Sequence, residues 1–460
     1  MIDQSHNQIF TAFEEIANNF NRNNQYFDIL YDSLSAVFIE KSPFAEDISA
    51  NVKTSGIAAR TFDGSWKEIA LDDFSKLNSV VDKLPKVVNK GEKIVEFDGW
   101  KLNKEFKPKI DSQEVPIEEK IKKIRQIFNF VQNYDKRILL CQVKYLEYEL
   151  TRIFVNNEGS QLRQVIPRTR LFIFPIVKKG IKVDFDHFIV DGEMGFEIFD
   201  EITNNKLEQI ANNSLEMLEA KKPPSGKFTV IADPSMAGVI AHESFGHGLE
   251  ADQVLRGRSY LKDNLNKKVA SEICSICDTP YVENKLGSYF FDDEGIKAGN
   301  NNLVEDGILK NFIYDRRSAS LLNATPQGNG RRQDYAHVVH PRMSNTYFKP
   351  GDYDLDEMIS EIKEGVIVIH SYFGMEDPIG GGMQCTSKKG YLIENGEKTK
   401  LLKGIALSGY VLDVLQNIDA ISNDATEFHG GTCGKGHADG VPVTDGGSYI
   451  RIKEVLISPG

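Results

Sequence analysis

Apolar residues near the start of the chain recur at three- and four-residue spacing: Phe10, Phe13, Ile16 and Phe20. That period puts them on one face of an amphipathic helix. From Tyr26 to Phe62 the pattern changes to β-type runs, YFDILY, LSAVFIE and SGIAARTF, broken by KSPFAED. Such runs predict a small sheet of hairpins or a meander. Helical spacing returns in IEEKIKKIRQIFNFVQN (117–133), with Ile121, Ile124, Ile127, Phe128 and Val131 on one side. Strands are expected at 138–149, 150–156 and 168–177, with a turn at NNEGSQ (156–161). A further helix over 205–220 stops at KKPPSG (221–226), where Pro-Pro followed by Ser-Gly cannot continue it.

That break is the expected domain boundary. A chain of 460 residues exceeds what one core usually absorbs. Two domains follow, 1–224 and 225–460. The second opens with KFTVIA (227–232), a buried-strand candidate. Asp233 then suits a helix N-cap and Pro234 the first helical position, so a helix should carry Val239, Ile240 and His242. Beyond residue 255 short strands and Gly/Asn turns dominate. The expected class is α+β, a mixed α/β N-terminal domain and a β-rich C-terminal domain.

Charge narrows the function classes. The net charge of −12 argues against a nucleic-acid groove, and short clusters such as KKIR (122–125) read as a solvated helix face. No run approaches 18 apolar residues, so no membrane span is expected. The first twenty residues lack the basic and apolar regions of a signal peptide. Five cysteines are few for this length, which fits a reducing compartment, and the cytoplasm is the expected location.

The densest chemistry lies in AHESFGHGLEAD (241–252). Zinc takes imidazole, thiolate or carboxylate ligands, and a catalytic site leaves a position for water. His242, Glu243 and His247 supply two imidazoles and a carboxylate within six residues. Residues i and i+4 of a regular helix lie about 40° apart, but i and i+5 about 140° apart. His242 and His247 therefore grip one ion only if the helix ends, or bulges by a residue as in a π-turn, before His247. Gly246 and Gly248 flank His247 and tolerate irregular backbone. The alternative is two unrelated histidines at a helix end. A carboxylate at Glu250 or Asp252 would orient a ligand imidazole, or else sit in a solvated loop.

A third ligand is sought in FHGGTCGKGHADGVPVTDGG (428–447), which holds His429, Cys433 and His437. This segment is not a phosphate loop, because His429 and Gly436 occupy positions where G-x-x-x-x-G-K-[ST] demands Gly and Ser/Thr. CSIC (274–277) is one C-x-x-C pair without a second at zinc-ribbon spacing, and reads as two ordinary thiols. Cys141 reads as core, and His340 and His370 as histidines satisfied by ordinary hydrogen bonds.

HESFGHGLEAD, FFDDEG (290–295), DGILKNF (306–312), TPQGNGRRQDYAH (325–337), PRMSNTY (341–347), GGG (380–382), GYLIENGE (390–397) and GTCGKG (431–436) occur in this order. Together they resemble the TldD/PmbA family of metallopeptidases over nearly all of 228–460, with SGIAAR (55–60) an echo in the N-terminal half. The resemblance implies a zinc site of the H-E-x-x-x-H type made by His242, His247 and Cys433, with Glu243 as general base on a zinc-activated water. His₂Cys ligation suits iron or cobalt as well. It also implies a helix that bears the metal, and a peptide substrate bound as an extended strand in an enclosed site. The active particle would be a homodimer, or a heterodimer with a PmbA/TldE-like subunit that lacks the metal residues. This chain keeps them and so resembles the catalytic TldD type.

For binding substrate or the oxyanion, GNGRRQDYAH offers Arg331, Arg332, Tyr335 and His337, the last two on one face if the segment is a strand. The first two read equally as a structural salt-bridge pair. Gly381, within GGG, marks a substrate rim or a plain flexible turn. The competing class is a non-catalytic interaction protein or partner subunit, in which His429 or His437 closes a four-ligand structural zinc site. A gyrase-associated nucleic-acid factor fits the −12 charge poorly.

Overall fold

The computed structural model describes residues 2–20, 26–77, 83–84, 94–435 and 440–460. Phe20 is helical, but its side chain is outside the described set, as is all of His437. The first half is built on an eight-stranded sheet. Its path runs Trp66–Leu71, Glu46–Phe62, Tyr26–Lys41, Ile138–Asn156, Gln161–Lys179 and Lys101–Glu105, and two short strands also pair with Gln161–Lys179. The three strands expected between 138 and 177 are thus two strands of 19 residues each. The turn at 156–161 is where it was expected.

Alternation along these strands separates two faces. One face is apolar. Cys141, Val143, Tyr145, Leu171 and Ile173 meet Ile124, Ile127 and Phe128 of helix Ile117–Gln132 and Leu207 and Ile210 of helix Asn204–Glu216. Farther along the same face, Ile29, Ile57 and Ile153 pack under Phe13 and Ile16 of the first helix.

The other face carries Asp28, Asp32, Arg60, Arg152, Gln164 and Arg168, all buried. Those side chains hold residues 286–294 of the second half. Arg168 donates to the carbonyls of Leu286 and Ser288, both at 2.6 Å. Gln164 bridges Phe290 and Phe291. Arg60 pairs with Asp28 at 2.6 Å and Glu294 at 3.2 Å, and Arg152 with Asp32 and Asp293. The FFDDEG stretch is therefore the fastening between the halves.

In the second half, strands Glu397–Tyr410, Gly382–Glu394, Glu364–Glu376, Gly226–Ala232 and Ile450–Pro459 pair in sequence, and the last pairs back onto the first. This closes a small barrel. The three longest of these strands have 13, 13 and 14 residues, so the segment beyond 255 is less dominated by short strands than its glycine and asparagine content suggests. A second sheet ends in strands Asn345–Phe348, Val441–Gly447 and Glu427–Cys433. Between barrel and sheet runs the helical segment that follows Gly226–Ala232, and Ile240, Phe245, Val368 and Val443 share its core. Among the described residues no helix is long and apolar enough to cross a membrane.

Three variants test this framework. Arg60→Met leaves Asp28 and Glu294 buried without their shared cation, and urea denaturation is expected to show a loss of about 3–5 kcal/mol. Lys67→Ala, removing a partly exposed partner of Asp63, should change stability by less than about 1 kcal/mol. Glu193 has both carboxyl oxygens buried without a partner, and burial pushes its pKa from 4.5 up to about 8. The folded state then holds a proton that the unfolded state releases, so its contribution to stability declines as pH rises through that window. Between pH 5 and pH 8 the melting temperature of the wild type should fall more than that of Glu193→Gln.

Candidate metal centre

The helical segment begins as expected. Asp233 caps it, accepting from the Met236 N–H at 2.8 Å, and Pro234 takes the first turn. Regular α-helix covers only Pro234–Val239. Ile240–Gly246 is a π-helix, in which the His247 N–H donates to the His242 carbonyl, five residues back. A single 3-10 turn, His247–Leu249, follows. The wider turn rotates His247 to the side of His242, and their rings lie 5.3 Å apart at 89°.

The flanking glycines act otherwise than by backbone freedom. Gly246 has an ordinary helical conformation, φ −62° and ψ −42°. It is glycine because a Cβ would collide with the Met343 sulfur. Gly248 similarly abuts Tyr260 and Leu261. Close packing across the helix, rather than a left-handed turn, demands small residues at these places.

Cys433 comes from the other side, at the end of strand Glu427–Cys433, in register with Val441. Its carbonyl accepts from Arg342 at 2.6 Å, which fixes the strand end. The donor atoms of His242, His247 and Cys433 all lie within 4.8 Å of one another, and Cys433 Sγ is 3.6 Å from His247 Nε2. His429 is outside this group, four residues back along the strand, or about 13 Å.

The group fits a metal ion. His242 is buried with neither ring nitrogen hydrogen-bonded, a state that costs about 1–3 kcal/mol per unsatisfied atom and that ligation relieves. Burial opposes charge at Cys433, yet the two imidazoles hold its thiol well below the ordinary range. Metal ligation requires that thiolate form.

Around the donors lies a charged frame. Burial disfavours the Glu250 carboxylate, but Lys435 and His247 hold its pKa well below the usual range. Glu250 Oε2 is 3.5 Å from His247 Nδ1 and 3.0 Å from Lys435 Nζ, which also pairs with Asp252 at 2.8 Å. Of the two carboxylates weighed as orienters of the imidazole, Glu250 is the one placed against it. Glu243 reaches the same space from within the π-helix, Oε2 at 3.7 Å from His247 Nε2 and Oε1 at 3.9 Å from His242 Nε2. Its side chain is about one-third exposed (34%), while His242 is nearly sealed (2%).

The matching family models are described as PmbA/TldA metallopeptidase central domain, over residues 110–221, and PmbA/TldA metallopeptidase C-terminal domain, over residues 225–459. The chain belongs to the TldD/PmbA metallopeptidase family. A metalloprotease of Methanocaldococcus jannaschii is 36% identical over 88% of this chain and 91% of its own length. A protein of Saccharolobus solfataricus named a zinc metalloprotease TldD homolog is 31% identical over 74% of this chain and 76% of its own. The fold also matches TldE from Thermococcus kodakarensis, with a TM-score of 0.73 at 18% identity, over 97% of this chain and 100% of that one.

Other TldD/PmbA-like candidates are more scattered. Arg331 donates to the carbonyls of Met343 at 2.6 Å and Pro442 at 2.7 Å, and Arg332 pairs with Glu68, so both guanidiniums are already engaged. Tyr335 and His337 lie in a turn, so the shared face that a strand would give them does not arise; Asp334 accepts from the Ala336 N–H and contacts the His337 ring. Tyr335 packs against Gly56. Gly381 has φ +73° at the tip of a barrel hairpin and lies under the ring of Tyr260, whose hydroxyl donates to Ser244 of the π-helix at 3.1 Å. Cys274 and Cys277 are free and buried, with separate partners Ser271 and Asn302.

Two groups near the donors escaped the sequence reading. Gly374 of strand Glu364–Glu376 touches the π-helix so closely that a Cβ would lie 2.9 Å from Glu243 Cβ. Glu376 follows on that strand with both carboxyl oxygens buried and unpartnered, and burial pushes its pKa up to about 8. Nothing in the spacing of GMED links it to a histidine 129 positions earlier.

Glu250→Gln removes the charge behind His247 while keeping its shape. Chelator competition should show a metal affinity about 10–100-fold weaker; an unchanged affinity would deny Glu250 this supporting role.

Proposed function

We propose that this chain is a zinc-dependent peptidase in which His242, His247 and Cys433 hold the metal and Glu243 moves the proton. One observation carries this: three donors within 4.8 Å of one another, with a carboxylate on the residue next to the first. A structural zinc takes four protein ligands, whereas a catalytic one takes three and leaves a position open. Among the described residues the group has three members. Zinc rather than iron or cobalt is supported by the name of the Saccharolobus solfataricus relative.

Zinc at this triad would supply Lewis acidity, lowering the pKa of water and polarising a carbonyl. The chain's own residues do the rest. Glu243 Oε2 faces the donor group and accepts the proton of the attacking water. It then returns that proton to the amide nitrogen as the C–N bond breaks, so one water is consumed per bond cut. Transfer of this kind contributes about 10²–10⁴-fold. Glu250 keeps the His247 ring oriented through Nδ1.

The substrate is a small unfolded peptide or loosely folded protein lying as an extended strand, where main-chain hydrogen bonds demand little of its sequence. Tyr335 and His337 serve as its contacts. Arg331 and Arg332 act there by holding their loop in place, and Gly381 by letting Tyr260 approach the hairpin. The division at 224/225 assigns the metal chemistry to the second domain. The particle is a homodimer or a pair with a PmbA/TldE-like subunit, and TldE of Thermococcus kodakarensis shares this fold.

Zinc content per chain and cleavage of an unstructured peptide test this together. Glu243→Gln should keep its zinc and lose at least about 100-fold in rate, while Cys433→Ala should lose its zinc. Equal cleavage by zinc-loaded wild type and Glu243→Gln would falsify the role of Glu243. Full zinc in Cys433→Ala would remove it from the ligand set.

A further inference from the structure

Glu376 stands on the face of its strand that is turned to the π-helix. Gly374, two residues earlier and so on the same face, abuts Glu243. Across the hairpin, Gly374 pairs with Cys385, whose sulfur meets Ser244 Oγ at 3.3 Å, and Glu376 pairs with buried Met383. These neighbours turn this face of the strand toward the helix that carries His242 and Glu243. The distance from Gly374 to Glu376 along the strand is about 7 Å, roughly two residues of extended peptide.

Glu376 has no partner, as Glu193 has none in the first half, but Glu376 lies close to the donor group. Neither oxygen has a hydrogen bond, although both are buried. Of its neighbours, Glu250 has Lys435 on one oxygen, and Asp233 accepts from the N–H groups of Met236 and His370. A buried carboxylate without a cation is costly, so Glu376 keeps its proton near neutral pH until a cation arrives to displace it. A primary ammonium brings one positive charge and three donors, which this pair of oxygens can accept.

We propose that Glu376 is a specificity-determining residue that takes a primary ammonium group of the bound peptide, the α-ammonium of its first residue or the ε-ammonium of a lysine. The inference rests on the peptidase reading and narrows its substrate class. If the α-ammonium is the one held, the short reach to Glu243 makes short N-terminal fragments the products. If lysine is held, cleavage falls close to lysine within a longer chain.

Binding separates this from the chemistry. Four fluorescent peptides of one unstructured sequence would be used, with the amino end free or acetylated and an internal lysine kept or replaced by glutamine. Their affinities are measured by anisotropy on zinc-loaded Glu243→Gln protein, which retains them uncut. Loss of the ammonium that is recognised should weaken binding about tenfold or more. Adding Glu376→Gln should abolish that difference while zinc content and melting temperature stay unchanged. Glu376→Asp should restore part of it, and serves alone if Glu376→Gln does not fold. Mass spectrometry of wild-type products then shows which fragment is released. The proposal is overturned if all four peptides bind alike, if the difference survives in Glu376→Gln, or, where only Glu376→Asp folds, if it is undiminished there. Failure of every peptide to bind, together with no cleavage by the wild type, would instead take down the peptidase reading beneath it.

Discussion

One backbone hydrogen bond governs the candidate site, from the His247 N–H to the His242 carbonyl. Spanning five residues instead of four, it widens the turn enough to set two imidazoles side by side. An α-helical turn would have sent them about 140° apart. The π-turn does not stand alone. The Met343 sulfur fills the space beside Gly246, Tyr260 bonds the Ser244 carbonyl, and Gly374 presses on Glu243. A wide turn is a weak element in isolation, and here neighbours from both the barrel and the second sheet hold it. That is why the segment lies between two layers rather than on the surface.

Electrostatics around the turn are arranged in order of distance from the donors. Nearest stand the two histidines and Cys433. Behind His247 is Glu250, and behind Glu250 is Lys435, which sits two residues after Cys433. The segment that delivers the thiol thus also delivers, just past the strand end, the cation that keeps Glu250 ionised. One short segment, GTCGK, couples the third donor to the support of the second. Glu243 remains partly exposed beside the sealed His242, which fits the proposed division between a group that meets substrate and one that meets only an ion.

The two halves are joined by charge around a small apolar cluster, in which Phe291 packs on Leu30, Phe154 and Leu162. Arg60, Arg152 and Arg168 of the first sheet reach Glu294, Asp293 and the carbonyls at 286 and 288. These groups are desolvated, so each is valuable only while its partner is present. Such an interface is specific in register and unforgiving of partial separation. Strand alternation shows that one face of the first sheet is polar, a pattern usually read as solvent-facing. The polar residues are instead buried under the second half, and no local signal distinguishes the two cases.

Much of the framework was legible from the chain alone. Helical period marked Ile117–Gln132, alternation marked the strands of the first sheet, and Asp233-Pro234 marked the helix start, because each depends on residues only a few positions apart. The i, i+5 spacing of His242 and His247 called for the helix to end or bulge if both were to face one ion, and the structure takes the bulge. Sequence alone could not choose Cys433 over His429, which lies four residues away in the same glycine-rich segment. That choice belongs to strand pairing and to the Arg342 bond, which together carry a residue 186 positions distant to within 3.6 Å of His247. Nor could it reveal Glu376, whose significance lies in having no partner. Local periodicity determines elements, while the meeting of distant side chains, and the absence of such a meeting, are settled only when the layers pack.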